Sequence, residues 1–356
     1  MTSTNRYLRQ TSLVSFGEEG QAKLADSQVL VVGLGGLGLP VIQYLNAMGV
    51  GTIGLVDHDT IELHNLQRQV LYTEADLGRP KLEVAIEQLQ AQNSNTKIIG
   101  HDTFLNSQNA LEIIKNYEVV VDATDNFATR YLINDACILL NKPFVYGALH
   151  DFEGQVSVFN YQNGPSYRCL FPKMPGPNEI PNCDVNGVLG VLPGIIGTMQ
   201  ALETIKVLTG VGEVLSGKLL LFDGLQQQTQ TISFEAQADQ KNITQLQASY
   251  ESQDCLMEFG VSAETFLSNA ERENMQLIDV RNSNEFEHDH LARAINIPLS
   301  QLADHELSIR DERPVYLICQ SGQRSALALR LLTAKYPTLK IYHILGGMNK
   351  LAALCP

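Results

Sequence analysis

The sequence predicts an α/β protein in which a doubly wound parallel sheet is followed by a second, smaller α/β domain. Short β-branched runs alternate with amphipathic helical stretches from Val29 onward, and the same alternation restarts in the last hundred residues. A polar, glutamine-rich stretch separates the two patterns. We therefore expect a first domain over residues 1–235, a linker over 236–258 and a second domain over 259–356.

Composition and charge are those of a folded protein with two cores. The chain has 356 residues, 44% of them hydrophobic, and a net charge of -14. Residues 1–258 carry most of this charge, with 15 basic and 28 acidic side chains, against 10 and 11 in the remainder. Because neither part has the basic excess typical of nucleic-acid or anionic-membrane binders, we expect neither kind of partner.

Apolar stretches and cysteines bear on location. The N-terminus lacks the apolar core of a signal peptide, and GVLGVLPGIIGTMQALETIKVL is interrupted by Pro193, Glu203 and Lys206. We expect a buried helix there, no membrane span and a cytoplasmic protein. The six cysteines are widely scattered, which argues for reduced thiols and against a disulfide framework.

The first domain is predicted element by element. Strands are expected at VLVVG, TIGLVD, KIIGHD and VVVDATD, with the helices LPVIQYLNAMG and KLEVAIEQLQAQN among them. The proline-rich residues 162–197 are typical of a functional or crossover loop. The helix TMQALETIKVLTG and the strand KLLLFDG close the domain. A ligand is expected at the carboxyl ends of the parallel strands.

A glycine loop follows the first strand. Gly33, Gly35 and Gly38 in VVGLGGLG satisfy the dinucleotide-binding fingerprint, because glycine allows a tight turn and a close approach to phosphate. Asp57 ends the next strand, where its carboxylate can hold ribose hydroxyls. On these residues alone, an NAD-dependent oxidoreductase is a sound interpretation.

Polar residues at the following strand ends favour a different chemistry. They are Asn65, Arg68, Lys81, Asp125 and Asn126. Cations offset the charge of phosphate oxygens and a carboxylate can hold Mg²⁺, so the set suits cleavage of a triphosphate, whereas hydride transfer needs none of it. Taken singly, Asp57 and Asp59 can also be loop caps, and Arg130 a surface or ion-pair residue.

A second anion-binding loop, CQSGQRS at residues 319–325, lies between the strand VYLI and a helix. The backbone N–H groups of such a loop converge on one point, and Arg324 adds positive potential, so Cys319 is expected to be a reactive thiolate. Phosphate-ester cleavage and sulfane-sulfur transfer both use this arrangement. Tyrosine-type phosphatases usually have one more residue between cysteine and arginine, so the shorter loop favours sulfur.

Motifs in the two domains resemble two families. RYLRQ, VLVVGLGGLG, VDHDTIELHNLQRQ, LGRPK, DATDNFATRYLIND and FEGQVSVF closely resemble E1-like adenylyltransferases of the MoeB/ThiF type, from Arg6 to about Phe234. LIDVRNSNEFEHDHLARAINIPL, the CQSGQRS loop and ILGGM resemble rhodanese. The resemblance implies a Rossmann-like E1/ThiF-type domain followed by a rhodanese domain.

The resemblance also implies an activity. ATP and Mg²⁺ would be used to adenylate the C-terminal glycine of a ubiquitin-like sulfur carrier protein ending in GlyGly. A Cys319 persulfide, charged by a cysteine desulfurase or thiosulfate, would then give a thiocarboxylate in a molybdopterin, thiamine or related pathway. The alternatives are an NAD-dependent oxidoreductase fused to a phosphatase-like domain, and a non-enzymatic adaptor for a ubiquitin-like protein.

Residue roles carried over from the family follow the matching motifs. Gly36 and Asp57 would contact the nucleotide, and Asn65, Arg68 and Lys81 would bind phosphates. Asp125 would hold magnesium, with Asn126 beside it, and Arg9 would reach across a homodimer to the partner's ATP. Cys183 matches a cysteine that some relatives link covalently to the carrier, or it is a loop residue with no chemical duty.

Departures from the family concern zinc. Relatives usually hold a structural zinc ion with two CxxC pairs, but here SYRC leaves Ser166 and Cys169, and CLME leaves Cys255 and Glu258. Since half of the ligand set is missing, we expect no zinc. Elsewhere, Cys137 is expected in the core, Asp279 and Arg281 as a structural pair, and His288 and His290 on a solvated face.

Overall fold

The computed structural model describes residues 6–175, 187–248, 250, 260–268, 275–302, 313–336 and 339–354. The chain forms two compact units, Met1–Tyr250 and Glu251–Pro356.

The first unit is built on an eight-stranded sheet with the order β3-β2-β1-β4-β5-β6-β7-β8. Strands β1 to β5 are parallel, whereas β6, β7 and β8 pair antiparallel as an extension. The strands are β1 Gln28–Val32, β2 Thr52–Asp57, β3 Lys97–Asp102, β4 Val119–Asp122, β5 Phe144–His150, β6 Glu153–Phe159, β7 Lys218–Asp223 and β8 Gln228–Ser233. The α/β class is confirmed.

Eight helices are described in this unit. They are α1 Leu8–Thr11, α2 Gly17–Asp26, α3 Gly38–Met48, α4 Lys81–Gln92, α5 Ala110–Ile114, α6 Phe127–Leu139, α7 Tyr167–Leu170 and α8 Val191–Thr209. Within the described residues, α8 alone is long and apolar enough to cross a membrane by length and composition. It packs against α3, β5 and β6, as expected of a buried helix.

Both faces of the sheet are covered at strand β1. Along β1, Val29 and Val31 belong to one apolar cluster, whereas Leu30 and Val32 belong to another on the opposite face. The uninterrupted apolar run of this strand follows from burial on both sides. Cys137 is fully buried in the second cluster, which confirms its predicted place in the core.

The order of the parallel strands reverses at β1. Strands β2 and β3 lie on one side of it and β4 and β5 on the other. Val32, the last residue of β1, is opposite Val56 in β2 and Asp122 in β4. Loops that leave the carboxyl ends of these three strands therefore meet at one edge, which is where doubly wound sheets bind ligands.

The structure differs from the prediction of a linker over residues 236–258. The stretch just upstream of this segment forms β8, an edge strand whose six residues are all exposed. Because its composition is polar, the sequence did not indicate a strand there. Further on, the Tyr250 hydroxyl donates to Asp135 Oδ2 at 2.7 Å, and the first unit extends to this residue. Residues 251–259 lie outside the described part of the chain.

The second unit has a five-stranded parallel sheet with the order β11-β10-β12-β13-β9. Its strands are β9 Gly260–Val261, β10 Gln276–Asp279, β11 Ile295–Asn296, β12 Val315–Ile318 and β13 Ile341–Ile344. The helices described here are α9 Ala263–Ser268, α10 Ser283–His288, α11 Leu299–Leu302, α12 Gln323–Lys335 and α13 Gly347–Leu354. The central strand β12 ends at the CQSGQRS loop.

Candidate active sites

The glycine loop after β1 is shaped by close backbone approaches. Gly33 has φ +98°, and a Cβ there would lie 2.7 Å from the Ala123 carbonyl oxygen. A Cβ on Gly38 would lie 1.9 Å from the carbonyl oxygen of Gly33, so neither position accepts a side chain. A Cβ on Gly36 would lie 2.9 Å from Pro193 Cβ, which places the first turn of α8 beside the loop.

Asp57 holds this loop in place. Its Oδ2 accepts a hydrogen bond from the Leu34 N–H at 2.7 Å, and its Oδ1 accepts one from the Asp59 N–H at 2.8 Å. Burial raises the pKa of Asp57, while the charge of Lys81 lowers it and that of Asp59 raises it further. The loop-cap explanation therefore applies to Asp57, and the same carboxylate lies at the edge of the sheet where the strand order reverses.

Positive charge is fixed at this edge by Lys81. Its side chain is only 8% exposed, and its Nζ donates to Asp59 Oδ2 at 3.0 Å. Asn65 is buried and its Oδ1 accepts from the Glu62 N–H, which closes a 3₁₀ turn. The Arg68 Nη1 donates to the carbonyl oxygen of His64 at 3.2 Å.

Two buried residues beside the loop were missed by sequence reasoning. Gln69 is 3% exposed, and its Oε1 has no hydrogen-bond partner among the described residues. Its Nε2 lies 3.7 Å from the Cβ position of Gly35, so this buried amide lies against the glycine loop. The Tyr72 hydroxyl links the loops, since it lies within hydrogen-bond distance of the carbonyl oxygens of Leu34 and Lys81. The sequence signal that could have indicated Gln69 as a site residue is its position directly after Arg68.

The end of β4 supplies an acidic residue. The Asp125 side chain is exposed and, within the described part of the chain, makes no hydrogen bond or ion pair. Asn126 accepts from the Thr129 N–H at 2.9 Å and caps α6. Behind them Arg130 forms a buried ion pair with Asp122 at 3.2 Å, so Arg130 is an ion-pair residue in the core rather than a surface residue.

One predicted residue, Arg9, is not part of this cluster. Arg9 is exposed on α1, and its side chain makes no hydrogen bond or ion pair to any described residue of its own chain. Cys183 lies outside the described residues, so its chemistry stays a prediction.

The remnant of the expected zinc site faces an unexpected segment. The Gln237 N–H donates to Cys169 Sγ at 3.3 Å, and the Ser166 hydroxyl donates to the Gln240 carbonyl oxygen at 3.2 Å. Residues 237–240 thus lie opposite Ser166 and Cys169, whereas the predicted second pair, Cys255 and Glu258, falls outside the described residues.

The residues that meet there do not fit a structural zinc ion. One cysteine, one serine and two glutamines replace the four sulfur or nitrogen ligands that such a site needs. Over the described ranges, no group of three or more His, Cys, Asp or Glu side chains is placed to hold a metal. The expected absence of zinc stays a prediction.

In the second unit, the CQSGQRS loop closes around Cys319. The thiol is fully buried, and its Sγ accepts hydrogen bonds from the N–H groups of Gly322 at 3.1 Å and Ser325 at 3.3 Å. The predicted convergence of backbone N–H groups on the sulfur is confirmed. A Cβ on Gly347 would lie 2.1 Å from the Cys319 carbonyl oxygen, so α13 begins in contact with the loop.

A polar pair behind the thiol was not predicted. Ser325 Oγ lies 3.6 Å from Cys319 Sγ and 3.4 Å from His343 Nδ1, which belongs to β13. His343 is buried, whereas His288 and His290 are exposed, as expected of a solvated face.

Arg324 has a partner that the sequence did not indicate. Its guanidinium makes two hydrogen bonds to the Glu285 carboxylate, at 2.6 and 2.7 Å. Its effect on the Cys319 thiol stays a prediction. Arg281 pairs with Asp279 at 2.7 Å, which confirms the predicted structural pair. Arg281 Nη1 also donates to Gln320 Oε1 within the loop, at 2.9 Å.

Comparisons with known proteins decide the family. The ThiF family model matches residues 7–243, and the rhodanese-like domain model matches residues 262–354. The chain belongs to the ThiF family. This ThiF-family protein also carries the rhodanese domain that the CQSGQRS loop indicated.

Relatives of this ThiF-family protein share both domains. It is 42% identical to adenylyltransferase and sulfurtransferase MOCS3 of Culex quinquefasciatus, over 97% of this chain and 86% of that one. The same identity holds for MOCS3 of Aedes aegypti, over 97% and 85%. We conclude that the protein is an adenylyltransferase and sulfurtransferase. Escherichia coli MccB with MccA-N7isoASN matches with a TM-score of 0.60 and 23% identity, over 67% of this chain and 73% of that one, which shows the shared fold.

Proposed function

We propose that the protein adenylates the C-terminal glycine of a ubiquitin-like sulfur carrier protein and then transfers sulfur to it from a Cys319 persulfide. The observation that carries the proposal is that one chain contains both sites. The glycine loop lies beside the buried Lys81, and the Cys319 thiol accepts hydrogen bonds from two N–H groups. The thiocarboxylate product would serve a molybdopterin, thiamine or related pathway.

In the first step, a carboxylate oxygen of the carrier attacks the α-phosphorus of ATP, the bond to the β-phosphate breaks, and pyrophosphate leaves. Both reactants are anions, so catalysis requires charge neutralisation and in-line positioning. Lys81 and Arg68 supply positive charge, and the glycine loop with the N-terminus of α3 holds phosphate.

Magnesium fits the site at Asp125. This carboxylate is exposed at the end of β4, the strand next to the glycine loop. Magnesium ions in such sites take one or two carboxylates together with substrate phosphates as ligands. When bound, the ion supplies charge neutralisation on the phosphate oxygens.

In the second step, the outer sulfur of the persulfide attacks the carbonyl carbon of the adenylate, and AMP leaves with the electron pair of the broken C–O bond. An acyl disulfide to Cys319 results. A second thiolate, from Cys183 or a free thiol, then attacks the Cys319 sulfur, which releases the thiocarboxylate and leaves a disulfide. This chemistry needs reduced thiols, so the proposal places the protein in the cytoplasm.

The proposal includes a homodimer. Arg9 is exposed, and the following turns carry exposed apolar side chains at Leu13 and Val14. Apolar groups left uncovered on a surface favour association with another chain. Arg9 would then act at the ATP site of the partner.

The test uses the full chain with a candidate carrier, ATP, magnesium and a sulfur donor, and reads intact carrier masses. Cys319→Ala should retain the adenylate and lose the thiocarboxylate, and Asp125→Ala should lose both. If sulfur still reaches the carrier at an undiminished rate in Cys319→Ala, the persulfide role is wrong.

The same assay separates the alternatives. Pyrophosphate release that depends on a GlyGly-ended protein and not on NAD excludes the oxidoreductase. An Asp125→Ala variant with unchanged pathway function in cells would favour the adaptor.

A further inference from the structure

The charges at the CQSGQRS loop are compensated by two ion pairs. The guanidinium of Arg324 gives both terminal nitrogens to Glu285, and each of these side chains is 33% exposed. Arg281 is buried against Asp279. Hence both arginines beside the thiol are held by carboxylates, and neither is left with its full charge available for an incoming anion.

A cavity of about 380 Å³ opens at the same place. Its lining residues are Arg281, Asn284, Glu285, His288, Asp289 and Gln320. Gln320 belongs to the loop itself, so a molecule in this cavity is next to the residue that follows Cys319. Two of the lining side chains, Glu285 and Asp289, are carboxylates, and the lining arginine, Arg281, is paired with Asp279. A ligand with high negative charge therefore meets no unpaired arginine in this cavity.

The Glu285–Arg324 pair persists at neutral pH. Partial burial raises the pKa of Glu285, but the hydrogen bonds and charge of Arg324 outweigh it, and the net pKa lies below its ordinary value. The hydrogen bond to Glu285 raises the pKa of Arg324. Both groups are therefore charged wherever thiol chemistry proceeds.

The N–H groups that donate directly to the sulfur belong to the backbone. Those of Gly322 and Ser325 already point at Cys319 Sγ. Two such dipoles suit one negative charge on a persulfide, whereas a dianionic oxyanion gains most from an unpaired guanidinium.

We propose that Glu285 is a specificity-determining residue, which by occupying Arg324 makes the loop prefer persulfide donors over dianionic donors such as thiosulfate. The proposal rests on the proposed sulfur transfer at Cys319. Glu285 acts through Arg324 and takes no part in bond making.

The two loading reactions differ in charge but not in redox balance. With a persulfide donor, the Cys319 thiolate attacks the outer sulfur, the S–S bond breaks, and the donor leaves as a thiolate. With thiosulfate, the same attack on the sulfane sulfur expels sulfite with the electron pair of the S–S bond. Sulfite carries its negative charge past the Glu285 carboxylate, and no further oxidant or reductant is involved.

The experiment measures kcat/KM for persulfide formation on Cys319 of the full chain, by intact mass, with thiosulfate and with cysteine persulfide. In Glu285→Gln the ratio of thiosulfate to persulfide kcat/KM should rise roughly tenfold, the size of one charge-assisted hydrogen bond. The glutamine amide oxygen in this variant can still accept from the Asn282 N–H that starts α10, so the helix start is retained. Glu287→Gln, an exposed neighbour in α10, is the matched control and should leave the ratio unchanged.

The double variant Glu285→Gln/Arg324→Gln should lose the gain, because the freed guanidinium is what produces it. If Glu285→Gln does not fold, Glu285→Asp, which shortens the carboxylate, should raise the ratio by a smaller factor. An unchanged ratio in the folded variant, or an equal gain in the double variant, overturns the role of Glu285. Failure of every donor to load Cys319 in the unaltered protein would instead refute the proposed function.

Discussion

Lys81 and Arg324 are both cations beside a loop that follows a strand. Their hydrogen-bond partners leave them with different amounts of charge to offer to an anion. The Lys81 ammonium donates to one described side chain, that of Asp59, so its remaining protons can meet phosphate oxygens. Arg324 has both terminal nitrogens bound to one carboxylate. Residue type alone predicts an anion ligand at each position, whereas the neighbouring carboxylate decides how much charge each one offers.

Replacement of Lys81 by methionine should lower the rate of adenylation at least about 100-fold, because a buried positive charge beside the phosphate loop is lost. Pyrophosphate release with carrier and ATP measures this effect. Lys97→Met, which removes an exposed charge from the start of β3 in the same sheet, should keep the rate of the unaltered protein. Comparable losses in both variants would mean that the effect is general electrostatics rather than phosphate binding.

At the scale of elements, the 237–240 segment and α7 are joined by hydrogen bonds at the place where relatives are expected to carry zinc. Cys169 accepts from the Gln237 N–H, Ser166 donates to the Gln240 carbonyl, and Arg168 pairs with Asp135 at 2.7 Å. Residues 237 and 240 have the spacing of a CxxC pair, as Ser166 and Cys169 do. The two pairs therefore face each other as in a zinc site, but three of the four cysteine sulfurs that would bind the ion are missing.

Metal analysis of the purified protein should consequently find well under one zinc ion per chain. The triple variant Ser166→Cys/Gln237→Cys/Gln240→Cys should bind about one, because four thiolates then face one another. Elemental analysis after chelator treatment measures both. A stoichiometric, chelator-resistant zinc ion in the unaltered protein would contradict the expectation.

At the scale of the whole molecule, one chain carries an adenylating unit and a sulfur-transfer unit. A covalent connection between two units raises the local concentration of each near the other above that of separate proteins. The two half-reactions would otherwise depend on a diffusional encounter, and the acyl-adenylate would be exposed to hydrolysis meanwhile.

Dilution should distinguish these cases. Thiocarboxylate formation per chain by the unaltered protein should stay constant as the enzyme is diluted at saturating carrier, over concentrations at which the proposed homodimer stays intact. A mixture of Lys81→Met and Cys319→Ala full chains, prepared as separate proteins, should lose activity in proportion to dilution. Carrier mass spectrometry over a dilution series measures both, and identical behaviour would show that the fusion gives no kinetic advantage.

The sequence by itself determined the fold class, the family and the two strand–loop–helix sites, and it predicted Asp57 and Lys81 beside the first loop. These features depend on contiguous stretches, in which glycine spacing, hydrophobic periodicity and the residue after a strand end are visible directly. Strand β8 escaped prediction because an edge strand exposed on both faces has no apolar alternation to reveal it.

Only the tertiary structure decided which distant residues face the sites. The Glu285 carboxylate on Arg324, the His343 ring behind Ser325, the buried Gln69 beside the glycine loop and the 237–240 segment opposite Cys169 all depend on how the chain packs. No local pattern encodes such pairings, because they arise from the way distant strands and helices are brought side by side. In this protein that packing sets the charge around Cys319.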